Sequence, residues 1–263
     1  MTSLLLVGCG KMGGALLAGW LDQGIAPTCI VIVDPHFAGD PPPGVRICAE
    51  AAQVPADFRP DIVLLAVKPQ SMDQVLPSYA GFKDAIFLSI AAGRTIASLE
   101  RHLGAAAIVR AMPNTPAAVR RGATALYAND RVDSSGRDLC EQLMRAVGTV
   151  AWTRSEAEMD AVTALSGSGP AYVFLLVEAL TAAGEAMGLE RKLAETLARA
   201  TVEGSGELLR QSPLAAANLR ENVTSPNGTT FAALQVLSAP DGLFDLMRRA
   251  TAAAARRAKE LAG

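Results

Sequence analysis

The chain is poor in the side chains that carry most enzyme chemistry. Only two of its 263 residues are histidine, His36 and His102, and neither falls in a recognisable catalytic or metal-binding motif. His36 reads as a surface or adenosine-side residue, and His102 as an exposed cap at a helix C-terminus. The four cysteines, Cys9, Cys29, Cys48 and Cys140, are far apart with no C-x-x-C pair. That spacing excludes a cysteine-framed zinc site and fits reduced thiols in a cytosolic protein. No metal ligand set and no nucleophile elbow is visible.

Excess charge of one sign is also lacking. Twenty-four Lys+Arg against 26 Asp+Glu leave a formal net charge of −2, so no electrostatic footprint for nucleic acid is expected. The densest basic group, Arg248, Arg249, Arg256, Arg257 and Lys259, reads as the solvated face of one C-terminal helix. Long apolar runs are missing too. The charge-free stretches 161–177 and 222–240 are interrupted by Ser, Thr, Gly, Asn and Pro, whereas a spanning helix needs about 20 mostly apolar residues. No basic region precedes the first apolar run, so no signal peptide is expected. A cytoplasmic protein with no membrane partner follows.

What the chain does have is apolar residues, half of the total, and a positive mean hydropathy that hints at surface hidden in an oligomer. Short apolar runs at 3–8, 29–34, 62–67, 85–90, 106–110 and 123–127 read as strands, the first two buried on both faces. Helical patterns at 12–21, 71–79, 95–103 and 134–147 lie between several of them. Such alternation predicts a doubly wound parallel sheet, a Rossmann-like α/β domain over 1–153. Prolines leave 40–60 without a clear assignment. The segment 154–263 has no comparable β-branched run and reads as an all-α domain, with helices near 157–165, 170–187, 190–211, 213–221, 228–238 and 241–261.

Gly8-Cys9-Gly10-Lys11-Met12-Gly13 is a G-x-G-x-x-G between a strand and a helix. Glycines permit the tight turn and the close approach of backbone to pyrophosphate, and the helix N-terminus offers free N–H groups to the anion. A packing turn without ligand is the plainer alternative; the placement favours a dinucleotide. Val7, Gly8, Cys9, Gly10, Lys11, Met12 and Gly13 are therefore cofactor candidates. Asp34 ends the second strand, where a carboxylate would bond the ribose 2′-hydroxyl of NADH and repel a 2′-phosphate. No Arg or Lys follows until Arg46, so the choice between NADH and NADPH leans to NADH. Ala66-Val67-Lys68-Pro69 and Ala111-Met112-Pro113-Asn114-Thr115-Pro116 end two further strands. There proline fixes the loop, so that it is either an ordinary rigid turn or holds polar backbone against the cofactor.

The C-terminal half offers no conventional catalyst: its two lysines, Lys192 and Lys259, sit in highly charged sequence. Instead, Ser166-Gly167-Ser168-Gly169-Pro170-Ala171-Tyr172 and Thr224-Ser225-Pro226-Asn227-Gly228-Thr229-Thr230 each lead into a helix. Small hydroxyls and exposed N–H groups at a helix start suit a small carboxylate. Simple N-capping by Ser and Thr is the competing explanation.

These segments, in this order and with Ser89-Ile90-Ala91-Ala92-Gly93, resemble the Δ1-pyrroline-5-carboxylate reductase family along essentially the whole chain. Thr224–Thr230 with the following Ala-Ala-Leu-Gln-Val-Leu looks like the family signature. The resemblance implies a Rossmann domain followed by an all-α dimerisation domain, a homodimer built through the helices, and a ring of dimers as in other members. It implies NAD(P)H-dependent reduction of (S)-1-pyrroline-5-carboxylate to L-proline, the last step of proline biosynthesis. By the same resemblance Thr230 is catalytic, bonding near the imine nitrogen. Ser225, Gly228, Thr229 and Thr230 take the substrate, with N–H groups of Gly228 and Thr229 on its carboxylate. Asn222 reaches the nicotinamide ribose, while Ala66, Val67, Lys68, Pro69 and Ala92 join the cofactor site. Asn227 stands where the family usually has glycine, and asparagine tolerates positive φ better than most residues. Many relatives carry small, polar or basic residues in place of Asp34 and prefer NADPH.

Three other readings stay open. A β-hydroxyacid dehydrogenase shares the layout but places a catalytic Lys in a G-x-x-x-N-x-x-K motif that is missing here. A reductase of a related cyclic imine acid has the same motifs, and a non-catalytic nucleotide-binding regulator would keep the fold without turnover.

Overall fold

The computed structural model describes residues 2–262. Its chain groups into two compact units, 2–167 with 254–262, and Ser168–Ala253. The sequence boundary drawn at 153/154 falls just after the last strand of the first unit.

That unit is an eight-stranded sheet with helices on both faces. In chain order it contains β1 (Leu4–Val7), α1 (Lys11–Asp22), β2 (Ile30–Val33), β3 (Arg46–Cys48), β4 (Ile62–Leu65) and α2 (Met72–Val75). Then come β5 (Ile86–Ser89), α3 (Ile96–Leu103), β6 (Ala107–Met112), β7 (Gly122–Ala128), α4 (Ser134–Arg145), β8 (Gly148–Trp152) and α5 (Glu158–Val162). Strand order is β3-β2-β1-β4-β5-β6-β7-β8, so the winding direction reverses between β1 and β4. Side chains alternate across each strand. Leu4 and Leu6 enter the layer holding Leu16 and Trp20 of α1 and Leu143 of α4. Leu5 and Val7 enter the opposite layer with Met72 and Leu99 of α2 and α3.

The expected sheet needs three corrections. β7 runs antiparallel to β6, because the short connection 113–121 cannot make the crossover that parallel strands require. β3 and β8 went unread: β3 is a three-residue edge strand inside the proline-rich stretch, and β8 is an edge strand with a single buried residue. The helix expected over 71–79 is α-helical only over Met72–Val75. Pro69 and Pro77 lie in flanking 3₁₀ turns, and a proline lacks the N–H an α-ladder needs.

Beyond β8, the buried Arg110 guanidinium meets Glu156 Oε1 at 2.7 Å. The same oxygen accepts the Ile96 N–H at 2.7 Å, placing negative charge at the N-terminus of α3, where the helix dipole favours it. Helices expected at 157–165 and 170–187 are one helical run, Glu158–Ala186, with a π-helical turn at Thr163–Gly167.

The second unit is helical: α6 (Gly169–Ala186), α7 (Arg191–Gln211), α8 (Ala216–Asn222), α9 (Thr229–Leu237) and most of α10 (Leu243–Ala262). Gly188, at φ +93°, turns the chain from α6 into α7. A Cβ on Gly184 would stand 2.9 Å from Ala194 Cβ, which is how closely α6 and α7 approach. Gly184, Ala194 and Ala198 are buried, but Val173, Phe174, Leu175, Leu176, Leu193 and Leu197 are exposed. The run Glu158–Ala186 is long and apolar enough to cross a membrane on length and composition alone. The basic residues of α10 are exposed; Arg248 and Arg249 both pair with Asp245, and Arg257 with Glu260.

Candidate active site

A cavity of about 920 Å³ opens at the carboxyl ends of β1, β2 and β4, the point of winding reversal where ligands of such sheets bind. The sequence candidates Val7, Gly8, Cys9, Gly10, Lys11 and Asp34 line it, joined by Ala66, Val67 and Lys68 from the loop after β4. Met12, Gly13, Pro69 and Ala92 do not line this cavity. Ser225, Gly228, Thr229, Thr230 and Asn222 belong to the second unit.

Each glycine of the turn has a separate reason. Gly8 has φ +88°, and a Cβ there would come within 2.9 Å of the Ala66 carbonyl oxygen; its N–H donates to Val33 O at 2.8 Å. A Cβ on Gly13 would stand 2.5 Å from Gly8 O, so Gly13 lets α1 close against the turn. Gly10 is different. Nothing lies within 4 Å of its Cβ position, and it is exposed at the start of α1 with no side chain capping the helix. Protein packing leaves that space open, as a pyrophosphate on the free N–H groups of the first turn requires. The cradle fits a dinucleotide.

Asp34 is held from both sides. Its Oδ2 accepts the Cys9 N–H at 2.7 Å and its Oδ1 the His36 N–H at 2.8 Å. The carboxylate is thereby fixed on the cavity wall by two hydrogen bonds. Burial, and then the Asp34 charge, push the Cys9 thiol up to about 11, so it stays protonated at neutral pH. Sequence reasoning missed the opposite wall, formed by Glu50 after β3 and by Ser71, Gln74, Ser78 and Tyr79 around α2. Glu50 sits in the stretch that prolines leave unassigned, and the other four in the segment read as one helix, which 3₁₀ turns containing Pro69 and Pro77 break up.

His102 lies in the last turn of α3, at the helix end expected for it, but it is half-buried and its side chain has a partner. Its Nε2 lies 2.8 Å from Asp73 Oδ1, an oxygen that also accepts from Arg94. These two partners hold the Asp73 carboxyl below the usual carboxylate range.

Neither hydroxyl segment is used for capping. The residue before α6, Ser168, makes no side-chain cap bond, and neither does Gly228 before α9. Thr224 Oγ1 instead donates back to Arg220 O at 2.6 Å. Asn227 adopts φ +58°, the left-handed conformation expected of it. Gly228 packs so closely on the turn that a Cβ would meet Ser225 Oγ at 2.3 Å, with its N–H donating to Ser225 O at 3.1 Å. Thr229 and Thr230 open α9, so their N–H groups are among those a helix start leaves free. Among the described residues, no three His, Cys, Asp or Glu side chains are grouped to hold a metal ion.

Comparison with known proteins agrees with this layout. Residues 156–261 match a family model described as pyrroline-5-carboxylate reductase dimerisation. Residues 3–93 match one described as NADP oxidoreductase coenzyme F420-dependent. The chain is 41% identical to pyrroline-5-carboxylate reductase of Pseudomonas aeruginosa, covering 98% of this chain and 96% of that one. Identity to the Synechocystis enzyme of the same name is 40%, over 97% of each chain. Among solved structures, a pyrroline-5-carboxylate reductase from Coxiella burnetii superposes with a TM-score of 0.91 at 37% identity, covering 99% of this chain and 98% of that one. A Plasmodium falciparum pyrroline carboxylate reductase with NADP bound gives 0.82 at 29% identity, covering 100% and 98%. The chain belongs to the pyrroline-5-carboxylate reductase family.

Proposed function

We propose that the protein reduces the C=N bond of (S)-1-pyrroline-5-carboxylate to give L-proline, using a pyridine nucleotide held in the cavity after β1 and β4. The observation that carries the reading is Gly10: an open Cβ position at the uncapped start of α1, in a chain 41% identical to a pyrroline-5-carboxylate reductase. A bound pyridine nucleotide supplies the hydride. Val7, Gly8, Cys9, Gly10, Lys11, Met12 and Gly13 form its pyrophosphate turn; Asp34 takes the adenosine ribose, and Ala66, Val67, Lys68, Pro69, Ala92 and Asn222 flank the remainder. The fixed Asp34 carboxylate favours NADH, since a 2′-phosphate beside it meets like charge. The NADP-bound Plasmodium relative is the reason to measure both nucleotides.

Residues 1–153 serve as the nucleotide domain and 154–263 as the substrate and dimerisation domain. Ser225, Gly228, Thr229 and Thr230 bind the substrate, with the free N–H groups at the start of α9 on its carboxylate. A protonated imine is the better hydride acceptor, and with no His or Lys in these segments the Thr230 hydroxyl or a water relays that proton. Much of the rate then comes from positioning. The exposed apolar side chains of α6 and α7 are too many for a solitary soluble unit. They pack against a second copy in a homodimer, or a ring of dimers, and the enzyme works in the cytoplasm.

Oxidation of NADH and NADPH, side by side with pyrroline-5-carboxylate, tests the reading. Turnover with either supports it, and the ratio reports on Asp34. No oxidation with either nucleotide sinks it in favour of a related cyclic imine or a regulator. Thr230→Ala should lower kcat severely while nucleotide binding is retained; an unchanged kcat removes Thr230 from catalysis.

A further inference from the structure

We propose that Asn114 is a positioning residue for hydride transfer: its carboxamide holds the π-helical turn Thr163–Gly167 and so sets the backbone of Ser166 and Gly167. The inference rests on the functional reading above, together with the sequence reading of Ser166–Tyr172 as a segment suited to a small carboxylate.

The Ser166 carbonyl lacks its donor within the helix. In an α-ladder the Ser166 carbonyl would accept from the residue four positions on, Pro170, which has no N–H. In a π-ladder it would accept from Ala171, but that N–H donates to Ser168 O at 3.0 Å. A carbonyl left unpaired in a half-buried turn costs free energy. Asn114 supplies the bond, its Nδ2 donating to Ser166 O at 3.0 Å. The amide cannot be turned the other way, because Asn114 Oδ1 accepts the Ala123 N–H at 2.8 Å and only the oxygen can accept. Asn114 itself is seated by its own backbone, with Ala117 N–H donating to Asn114 O at 3.1 Å.

A second contact comes from the last residue of β6. A Cβ on Gly167 would stand 2.5 Å from Met112 Cε, so Met112 packs against the bare backbone of the turn's last residue. Within the turn, Thr163 Oγ1 donates to Met159 O at 2.8 Å and Ser166 Oγ to Val162 O at 3.1 Å. The end of β6 and the loop after it thus grip the π-turn at Gly167 and at Ser166 O. Bonded to backbone through both Nδ2 and Oδ1, the Asn114 carboxamide orients that backbone. π-turns inserted in helices occur often at functional sites, and here a proline and an asparagine from distant segments together select the π register over the α register.

Steady-state kinetics with pyrroline-5-carboxylate and the preferred nucleotide, alongside thermal unfolding, test this. Asn114→Asp keeps the acceptor for Ala123 N–H but removes the donor to Ser166 O. It should lower kcat about tenfold or more, the scale of a small misplacement, with the nucleotide KM unchanged. Adding Pro170→Ala gives Ser166 O an N–H within its own helix. The double variant should regain the unfolding midpoint of the parent while kcat stays low, because the carbonyl is satisfied but the register is α. An unchanged kcat in Asn114→Asp overturns the proposal, as does a kcat that returns together with the midpoint in the double variant. If Asn114→Asp does not fold alone, the double variant decides: a kcat that stays low at the parental midpoint supports positioning, and a parental kcat overturns it. A parent that fails to turn over at all refutes the functional reading, and is seen before any variant is compared.

Discussion

The backbone N–H of Cys9 donates to Asp34 Oδ2 at 2.7 Å, tying the glycine turn after β1 to the end of β2. Because His36 N–H occupies Oδ1 at 2.8 Å, the carboxylate has one orientation before any nucleotide arrives. Asp34 lines the cavity. A pre-set acceptor at that place suits a ribose diol and opposes a phosphate.

Asp34→Asn removes the charge and leaves an acceptor for one of the two N–H groups. The ratio of kcat/KM for NADPH over NADH should rise about tenfold or more, since a hydrogen bond to a charged group is worth roughly 1.5–3 kcal/mol. Side-by-side kinetics with both nucleotides measure it. If the ratio does not move, Asp34 does not read the ribose.

Gly10 and Gly13 stand three residues apart, and the same substitution should act on them differently. Gly13→Ala would place a methyl 2.5 Å from Gly8 O, a backbone clash that cannot be relieved by a rotamer change, so the unfolding midpoint should fall. Gly10→Ala meets nothing within 4 Å, so its midpoint should hold while the nucleotide Kd rises about tenfold or more, because the methyl occupies the phosphate approach. Thermal unfolding and nucleotide titration of the two variants separate these effects. A parental Kd for Gly10→Ala would show that the open space is not the phosphate site.

How much of this was legible depended on how local the signal was. The apolar run around Leu4–Val7, the glycine turn and Asp34 lie within one β-α-β unit, and each carries its own local rule, so strand, turn and cavity wall were all readable. Glu50 and Tyr79 line the same cavity, yet both come from proline-interrupted segments whose placement is set by packing. His102 was readable as a helix-end residue, but not its partner: Asp73 is far off in sequence and only the fold brings them to 2.8 Å. The π-turn was invisible for a related reason: Pro170 announces a helix start in sequence, whereas the helical run passes through it, beside a bond from the distant Asn114 to Ser166 O. Thr224–Thr230 was recognised as a family signature, a form of information that no periodicity in the chain supplies.

The Cys9 thiol, raised to about 11 by burial and by Asp34, should be a slow nucleophile. A cysteine with an ordinary pKa near 8.5 is largely thiolate by pH 9, whereas Cys9 remains almost wholly protonated there. Its alkylation by iodoacetamide should therefore lag behind that of an unhindered thiol at pH 8. The rate should go on climbing tenfold per pH unit up to about pH 11, provided the fold survives. In Asp34→Asn the climb should level off at lower pH, since the second of the two causes is gone. Peptide mass spectrometry of timed reactions reads both, and fast labelling of Cys9 at pH 8 would contradict the buried, protonated thiol.

Thr124 provides a test of the fold independent of catalysis. It sits on β7 at 3% exposure, and its Oγ1 has no hydrogen-bond partner. It shares a strand face with Leu126 and Ala128, which enter the apolar layer containing Leu143 and Val150. An unpaired hydroxyl in such a layer costs roughly 1–3 kcal/mol, while valine has the same branched shape without the polar atom. Thr124→Val should accordingly stabilise the protein by about 1 kcal/mol, with kcat and both KM values unchanged. Equilibrium denaturation in urea at constant slope measures the gain. A loss of stability would mean that the hydroxyl is satisfied within the sheet layer.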